Sequence, residues 1–222
     1  MRALSAYIAV LCIALLPGGC ARARPRPPAA NEAGAVNETR EGGGTMSDLT
    51  GKTILMVIAH ANFRDEELAK PKAVFEKAGA TVRIASSQMS TAKGMLGATA
   101  TPDLLLKDAK ASDYDAIVFV GGGGASEYWN DAKAHALAKE MYGQGKVVSA
   151  ICIAPVTLAN AGLLQGKKAT VWKSEAGKLR DKGANYTGEP VTVDGRIVTA
   201  DGPTSAAEFG NAVVKAIASA SK

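Results

Sequence analysis

Val147-Val-Ser-Ala-Ile-Cys152-Ile-Ala-Pro155 decides the reading of this chain. An apolar run with β-branched residues reads as a buried strand, and Pro155 suits the first turn of a helix, where the early N–H groups lack partners. Cys152 therefore stands where a strand turns into a helix. Ala150 and Ala154, two before and two after it, suit a tight elbow that brings neighbouring backbones close; G-x-S-x-G is the serine counterpart. Such an elbow presents the sulfur at a sheet edge and at a helix N-terminus, where unpaired N–H groups and the helix dipole favour thiolate over thiol. The alternative is a buried, inert structural cysteine.

Outward from this elbow, short β-branched runs alternate with helical patterns, the signature of a parallel sheet with helices on both faces. The strand runs are Thr53 to Ala59, Thr81 to Ala85, Ala116 to Val120, Val147 to Ile151 and Lys168 to Val171. Helical patterns cover Asp65 to Ala78, Ala125 to Tyr142, Pro155 to Ala161 and Ser174 to Lys182. Asp194-Gly195, between Val191-Thr-Val and Arg196-Ile-Val-Thr, signals a hairpin. A last helix runs from about Ala206 to Ala220, with Ser205 and Glu208 spaced as a capping box.

In open sheets of this kind the ligand site lies beyond the carboxyl ends of the strands. Gly121-Gly122-Gly123-Gly124 follows one such end and offers backbone N–H groups free of side-chain obstruction. A phosphate loop is disfavoured, because Ser126, Glu127 and Tyr128 stand where Gly-Lys-Ser/Thr belongs, and G-x-G-x-x-G is absent. Phe63-Arg64-Asp65-Glu66-Glu67-Leu68 follows the first strand and sets three acids at a helix start. The helix dipole accounts for two of them; a third could exchange a proton with the sulfur. His60, at the same sheet edge, is a second base candidate or a plain loop histidine. His135 sits in an alanine-rich helical stretch and reads as surface. Tyr128 and Trp129 follow the glycine loop and wall the pocket or simply pack, while Trp172, at a strand end, could cover the thiol.

Of 222 residues, 47% are hydrophobic and 21% charged, which excludes collagen, coiled coil, a disordered tail and a polytopic membrane protein. The formal charge is +5, but residues 1–45 hold five Arg and three Glu, leaving 21 basic against 18 acidic residues. With 5% aromatic residues and no long basic run, nucleic acid is not an expected partner. Three cysteines cannot build a disulfide framework, and two histidines without C-x-x-C or H-E-x-x-H spacing cannot build a zinc site; no metal is expected.

Arg2, the apolar stretch from Ala3 to Leu16 and then Pro17-Gly-Gly-Cys20 have the order of a bacterial export signal. Residues 1–19 are read as a signal peptide, with cleavage before Cys20 and lipidation of that cysteine. Residues 20–51, rich in Pro and Gly and nearly free of large apolar side chains, are read as a disordered linker, and 52–222 as the folded domain. The expected location is the cell envelope or periplasm, with membrane contact only through the lipid. Should translation start at Met46, the protein would be cytoplasmic.

Taken together, F-x-D-x-E-L at Phe63, the glycine loop, A-I-C-x-x-P at Ala150, A-G-L-L-x-G-K-K-x-T at Ala161 and D-G-P at Asp201 resemble the DJ-1/PfpI superfamily over Lys52 to Ala218. The resemblance implies a flavodoxin-like three-layer sandwich related to class I glutamine amidotransferases, with a mostly parallel central sheet and a nucleophile elbow. It implies Cys152 as nucleophile or oxidisable thiol and Glu67 as its carboxyl partner. Gly122 and Ile153 are implied as oxyanion-hole donors and Gly202-Pro203 as part of the rim, beside His60, Gly123 and Trp172 as further pocket residues. Homodimers or higher homo-oligomers are implied, and no cofactor.

The family's peptidase branch has histidine directly after the cysteine, where this chain has Ile153. Its deglycase branch often has histidine at the position of Trp172. The leading expectation is a cysteine-dependent hydrolase or glyoxalase-type lyase acting on reactive carbonyls or their adducts, free or on a modified protein. The alternatives are a non-catalytic oxidative-stress sensor or chaperone working through Cys152 oxidation, and a peptidase or amidase.

Overall fold

A computed structural model describes residues 48–220. The signal peptide, Cys20 and nearly all of the linker lie outside the described residues. The linker's last residues already belong to the fold: Leu49 is buried, and its amide donates to Ala78 O at 2.7 Å.

Chain order is β1 (Thr53–Val57), β2 (Ala61–Phe63), α1 (Asp65–Lys77), β3 (Thr81–Ser86), β4 (Ala92–Gly94), β5 (Thr99–Ala100), β6 (Leu104–Leu105) and β7 (Ala116–Phe119). Then follow α2 (Ala132–Gly143), β8 (Val147–Ile151), α3 (Pro155–Asn160), β9 (Lys168–Ala169), α4 (Ala176–Asp181), β10 (Asn185–Tyr186), β11 (Val191–Asp194), β12 (Ile197–Ala200) and α5 (Ala206–Ala220). Seven strands form the central sheet in the order β11-β12-β8-β7-β1-β3-β6. All its pairings are parallel except β11 with β12.

The sheet is buried on both faces, so its central strands are continuously apolar rather than alternating. Alternate residues still divide between two cores, because successive side chains in a strand point to opposite faces. Ile54 and Met56 of β1 join α1 and α5 through Phe75, Phe209 and Val213. Leu55 and Val57 join α2, α3 and α4 through Leu137, Leu158 and Leu179. This is the three-layer α/β sandwich. Phe209 is fully buried, a burial worth about 1.5–3 kcal/mol.

Four local expectations need correction. Lys168 to Val171 supplies no central strand: β9 pairs with β10 in a separate two-stranded sheet. The place beside β8 is filled by β12, with Ile197 opposite Val148 and Ala200 opposite Ile151. The helix read from Ala125 begins as a 3-10 turn over Gly123–Tyr128, and α2 restarts where the Asp131 carboxylate accepts the Ala134 N–H at 2.6 Å. The hairpin turn is Gly195-Arg196, since Asp194 still pairs with Ile197. The Ser205 hydroxyl, read as a cap, donates instead to Asp201 Oδ1 at 2.6 Å.

Residues 87–113, which carry no strong periodicity, fold into structure that matters. β2, β4 and β5 make a small three-stranded sheet. The Met95 amide donates to Phe63 O at 2.9 Å, bringing the β4–β5 hairpin beside the start of α1.

Candidate active site

Strand β8 ends at Ile151, and Cys152 adopts φ +62°. A non-glycine residue in this left-handed region is strained by about 1–2 kcal/mol, so neighbouring bonds must hold it. The Cys152 amide donates to Ala200 O at 2.9 Å, and its carbonyl accepts the Trp172 N–H at 2.8 Å. Ala150 and Ala154 are buried against the turn, as the tight elbow requires.

Glu67 occupies the first turn of α1 and is fully buried. Its Oε2 accepts the Gly121 N–H at 3.1 Å, whereas Oε1 makes no hydrogen bond of ordinary geometry. Glu67 and Cys152 meet around Gly121: a Cβ there would overlap Cys152 Cβ and Glu67 Oε2, and would stand 2.7 Å from Ile151 O. Any side chain would wedge the pair apart. Gly121→Ala is therefore expected to cost about 2 kcal/mol or more of stability from overpacking, read by thermal unfolding.

Burial raises Glu67 from the ordinary glutamate value to about 8, against the opposing pull of the thiol and the Gly121 N–H. The acid is thus largely protonated at neutral pH. Cys152 is pushed up to about 12 by burial and by the negative charge that Glu67 can carry; the N–H groups of Gly122 and Ile153 draw it down. A thiol depressed by a helix terminus is not what forms. Helix α3 starts three residues later and has six residues, and the sulfur's residue is 8% exposed, so desolvation outweighs the dipole. The two groups form a protonated couple, and loss of its first proton belongs to both together.

Gly122 and Ile153 are the residues that the resemblance implies as oxyanion donors. Gly122 and Ile153 direct their N–H groups to the sulfur's surroundings, and neither pairs with a backbone carbonyl among the described residues. Gly122 has φ +99°, and a Cβ there would overlap Arg64 N and Asn62 O; only glycine fits. The loop is stitched to α1 by Arg64 N–H donating to Gly121 O at 2.9 Å.

Above the sulfur lies a cavity of about 340 Å³. Glu67, Cys152, Gly122, Gly123, Ile153, Trp172 and Pro203 line it, as do Arg64, Met95 and Ser174, which the sequence reading did not single out. Gly202 stands behind the wall, packed under the Trp172 ring. His60 does not line the cavity: its carbonyl accepts the Lys93 N–H at 3.0 Å, and its Nδ1 is buried without a partner among the described residues. β1 has already turned toward β2 at that point. Tyr128 and Trp129 do not wall the cavity either. The Tyr128 hydroxyl donates to Ile58 O at 2.9 Å, and the Trp129 indole N–H donates to Ile153 O at 3.1 Å, bracing the elbow from behind. His135 is half-buried rather than surface, with Nε2 3.0 Å from Trp129 O.

Asp65 has a role that a dipole alone does not give. Its two carboxylate oxygens accept the N–H groups of Leu96 and Ala98 at 2.9 and 2.7 Å, fastening the β4–β5 hairpin to α1. Burial raises its pKa, but these amides outweigh that and hold it below the ordinary value. Glu66 pairs with Arg64. Among the described residues no cluster of three or more His, Cys, Asp or Glu is placed to hold a metal ion.

Comparison with known proteins agrees with this fold. The model of the DJ-1/PfpI family matches residues 52–216. An uncharacterized protein of Methanocaldococcus jannaschii is 46% identical over 184 residues, covering 82% of this chain and 87% of its own length. A deglycase of Thermococcus kodakarensis is 31% identical, over 67% of this chain and 90% of its own. A glutathione-independent glyoxalase of Caenorhabditis elegans is 27% identical, over 75% and 89%. The crystal structure of a ThiJ/PfpI domain protein from Brachyspira murdochii superposes with a TM-score of 0.74 at 40% identity, over 75% of this chain and 96% of that one. The chain thus belongs to the DJ-1/PfpI family.

Proposed function

We propose that the protein is a cofactor-independent, glyoxalase-type enzyme that converts 2-oxoaldehydes to 2-hydroxy acids through Cys152. One observation carries this reading: a buried carboxyl, Glu67, shares the space around Gly121 with the sulfur, beside two amides without carbonyl partners. The names of the relatives from C. elegans and T. kodakarensis support the same chemistry.

The sulfur adds to the aldehyde carbon as its proton passes to the Glu67 carboxylate. The carbonyl π pair moves to oxygen, where the Gly122 and Ile153 N–H groups stabilise the developing charge. Glu67 returns the proton to that oxygen and the hemithioacetal results. The carboxylate then removes the hydrogen on the same carbon while the neighbouring keto oxygen takes up the proton of the hemithioacetal hydroxyl. Glu67 returns the removed hydrogen as a proton to the neighbouring carbon, leaving the thioester of a 2-hydroxy acid. Water attacks the thioester, the C–S bond breaks, and the thiol recovers its proton. Methylglyoxal and one water become lactate, with no external oxidant or reductant.

Glu67 must be ionised for the first step, so the rate is expected to rise with pH and to level off above about 8, the base-limited half of a pH profile. Lactate formed from methylglyoxal without glutathione, matched to substrate consumed, is the direct test. Absence of lactate across pH 6 to 9 overturns the reading. A deglycase role would use the same addition and return steps on an adduct already carried by a protein or amino acid.

A further inference from the structure

We propose that the walls formed by Met95 and Trp172 select 2-oxoaldehydes whose keto carbon bears an aryl or comparably bulky apolar group; this rests on the glyoxalase-type reading. The cavity has two chemically distinct ends. At the reacting end stand the thiol, the Glu67 carboxyl and the amides of Gly122 and Ile153. Elsewhere its one cationic and its one hydroxyl side chain are already paired. The Arg64 guanidinium is held by both Glu66 oxygens at 2.8 and 3.1 Å, and the Ser174 hydroxyl donates to Glu175 Oε1 at 2.8 Å. A substrate carboxylate finds no uncommitted cation among the lining residues.

The remaining surface is apolar and held in place. Trp172 is 46% exposed, a large aromatic face beside a nucleophile. Its backbone is tied to the Cys152 carbonyl, and its ring lies on Gly202, where any Cβ would come within 2.9 Å of two ring carbons. Met95 is fixed by a bond from the Gly123 N–H to its sulfur at 3.4 Å and by the hold of Asp65 on the hairpin turn. A three-carbon oxoaldehyde leaves much of 340 Å³ unfilled, whereas an aryl group can meet the indole face and the thioether, both favourable partners for an aromatic ring.

The test compares kcat/KM for phenylglyoxal, methylglyoxal and glyoxal, measured as mandelate, lactate and glycolate formed, so that modification of arginine is not counted as turnover. Phenylglyoxal is expected to exceed methylglyoxal by about 10-fold or more, the discrimination an apolar pocket supplies, with glyoxal last. In Trp172→Ala, Met95→Ala and the double variant the phenylglyoxal-to-methylglyoxal ratio should fall stepwise toward one. A wild-type ratio at or below one, or a ratio that neither substitution moves, overturns the proposal.

A second measurement needs no turnover: alkylation of Cys152 by phenacyl bromide against iodoacetamide, read by intact mass and normalised to free cysteine. Wild type should favour the phenacyl reagent over the double variant by about fivefold or more, a loss of the same apolar contact. An alkylation preference that follows the walls without any turnover sinks the glyoxalase reading and leaves the selectivity standing. Turnover without an aryl preference does the reverse. Trp172→Leu, which keeps an apolar side chain, should retain part of the preference in both assays.

Discussion

Serine in place of Cys152 is expected to lower 2-hydroxy acid formation by about a thousandfold or more, the usual cost of removing a covalent nucleophile. The two residues are nearly the same size, and the bonds that hold the elbow are backbone bonds, from Cys152 N–H to Ala200 O and from Trp172 N–H to Cys152 O. The fold should therefore survive with a thermal midpoint within a few degrees of wild type. What changes is acidity. A hydroxyl in the same desolvated place cannot yield its proton to a carboxylate that titrates near 8, and Glu67 alone then has no adduct to isomerise. Residual activity of more than a few per cent in a preparation free of wild type would show that the sulfur is not the attacking atom.

Glu67→Gln separates catalysis from stability in opposite directions. In the unfolded chain the carboxyl ionises near 4.5, whereas in the folded protein it keeps its proton to about 8. The folded form binds the proton more tightly, so this contribution to stability is full below the ordinary value and is lost as pH rises toward the folded one. At about 1.4 kcal/mol per unit, roughly 3 kcal/mol has gone by pH 7 and about 4 by pH 8. Glutamine has no such proton, and its carbonyl can still accept the Gly121 N–H.

The variant should match wild type near pH 4 and exceed it increasingly above, by on the order of 10 °C in thermal midpoint at pH 8. Turnover should fall at least about 100-fold, since general acid–base help of this kind is worth that much. Cys152 should still be alkylated, more readily at a given pH because the repelling carboxylate is gone. A stability gap that stays constant with pH would mean that the carboxyl is already charged inside the fold, and the proton-holding couple would be abandoned.

Legibility in the sequence divides along a physical line. The elbow was readable because its requirements are local: small neighbours at 150 and 154, a β-branched run before and a proline after. The glycine loop, the acidic helix start and the hairpin near Asp194 were readable for the same reason. Lys168 to Val171 was misassigned because local pattern cannot report that β12 competes for the same neighbour and, with four residues in register, wins. Met95 escaped notice because its placement depends on pairing between β2 and β4, residues far apart in sequence. Gly94 and Gly97 around it hint at a turn, but not at what the turn faces. The ionisation of the thiol was misjudged because desolvation is a property of the packed interior, and a motif records only the helix that follows.

The bond from Cys152 N–H to Ala200 O has a consequence for biosynthesis. A nascent chain delivers the cysteine out of the ribosome well before Ile197–Ala200, and until that strand docks beside β8 the left-handed turn at Cys152 lacks one of the two backbone anchors that hold it. The Trp172 anchor also arrives only after translation has moved past the elbow. In an incompletely synthesised or C-terminally truncated polypeptide the thiol is therefore left unaimed, and the last strand of the described residues to emerge fixes the geometry of a turn made long before it.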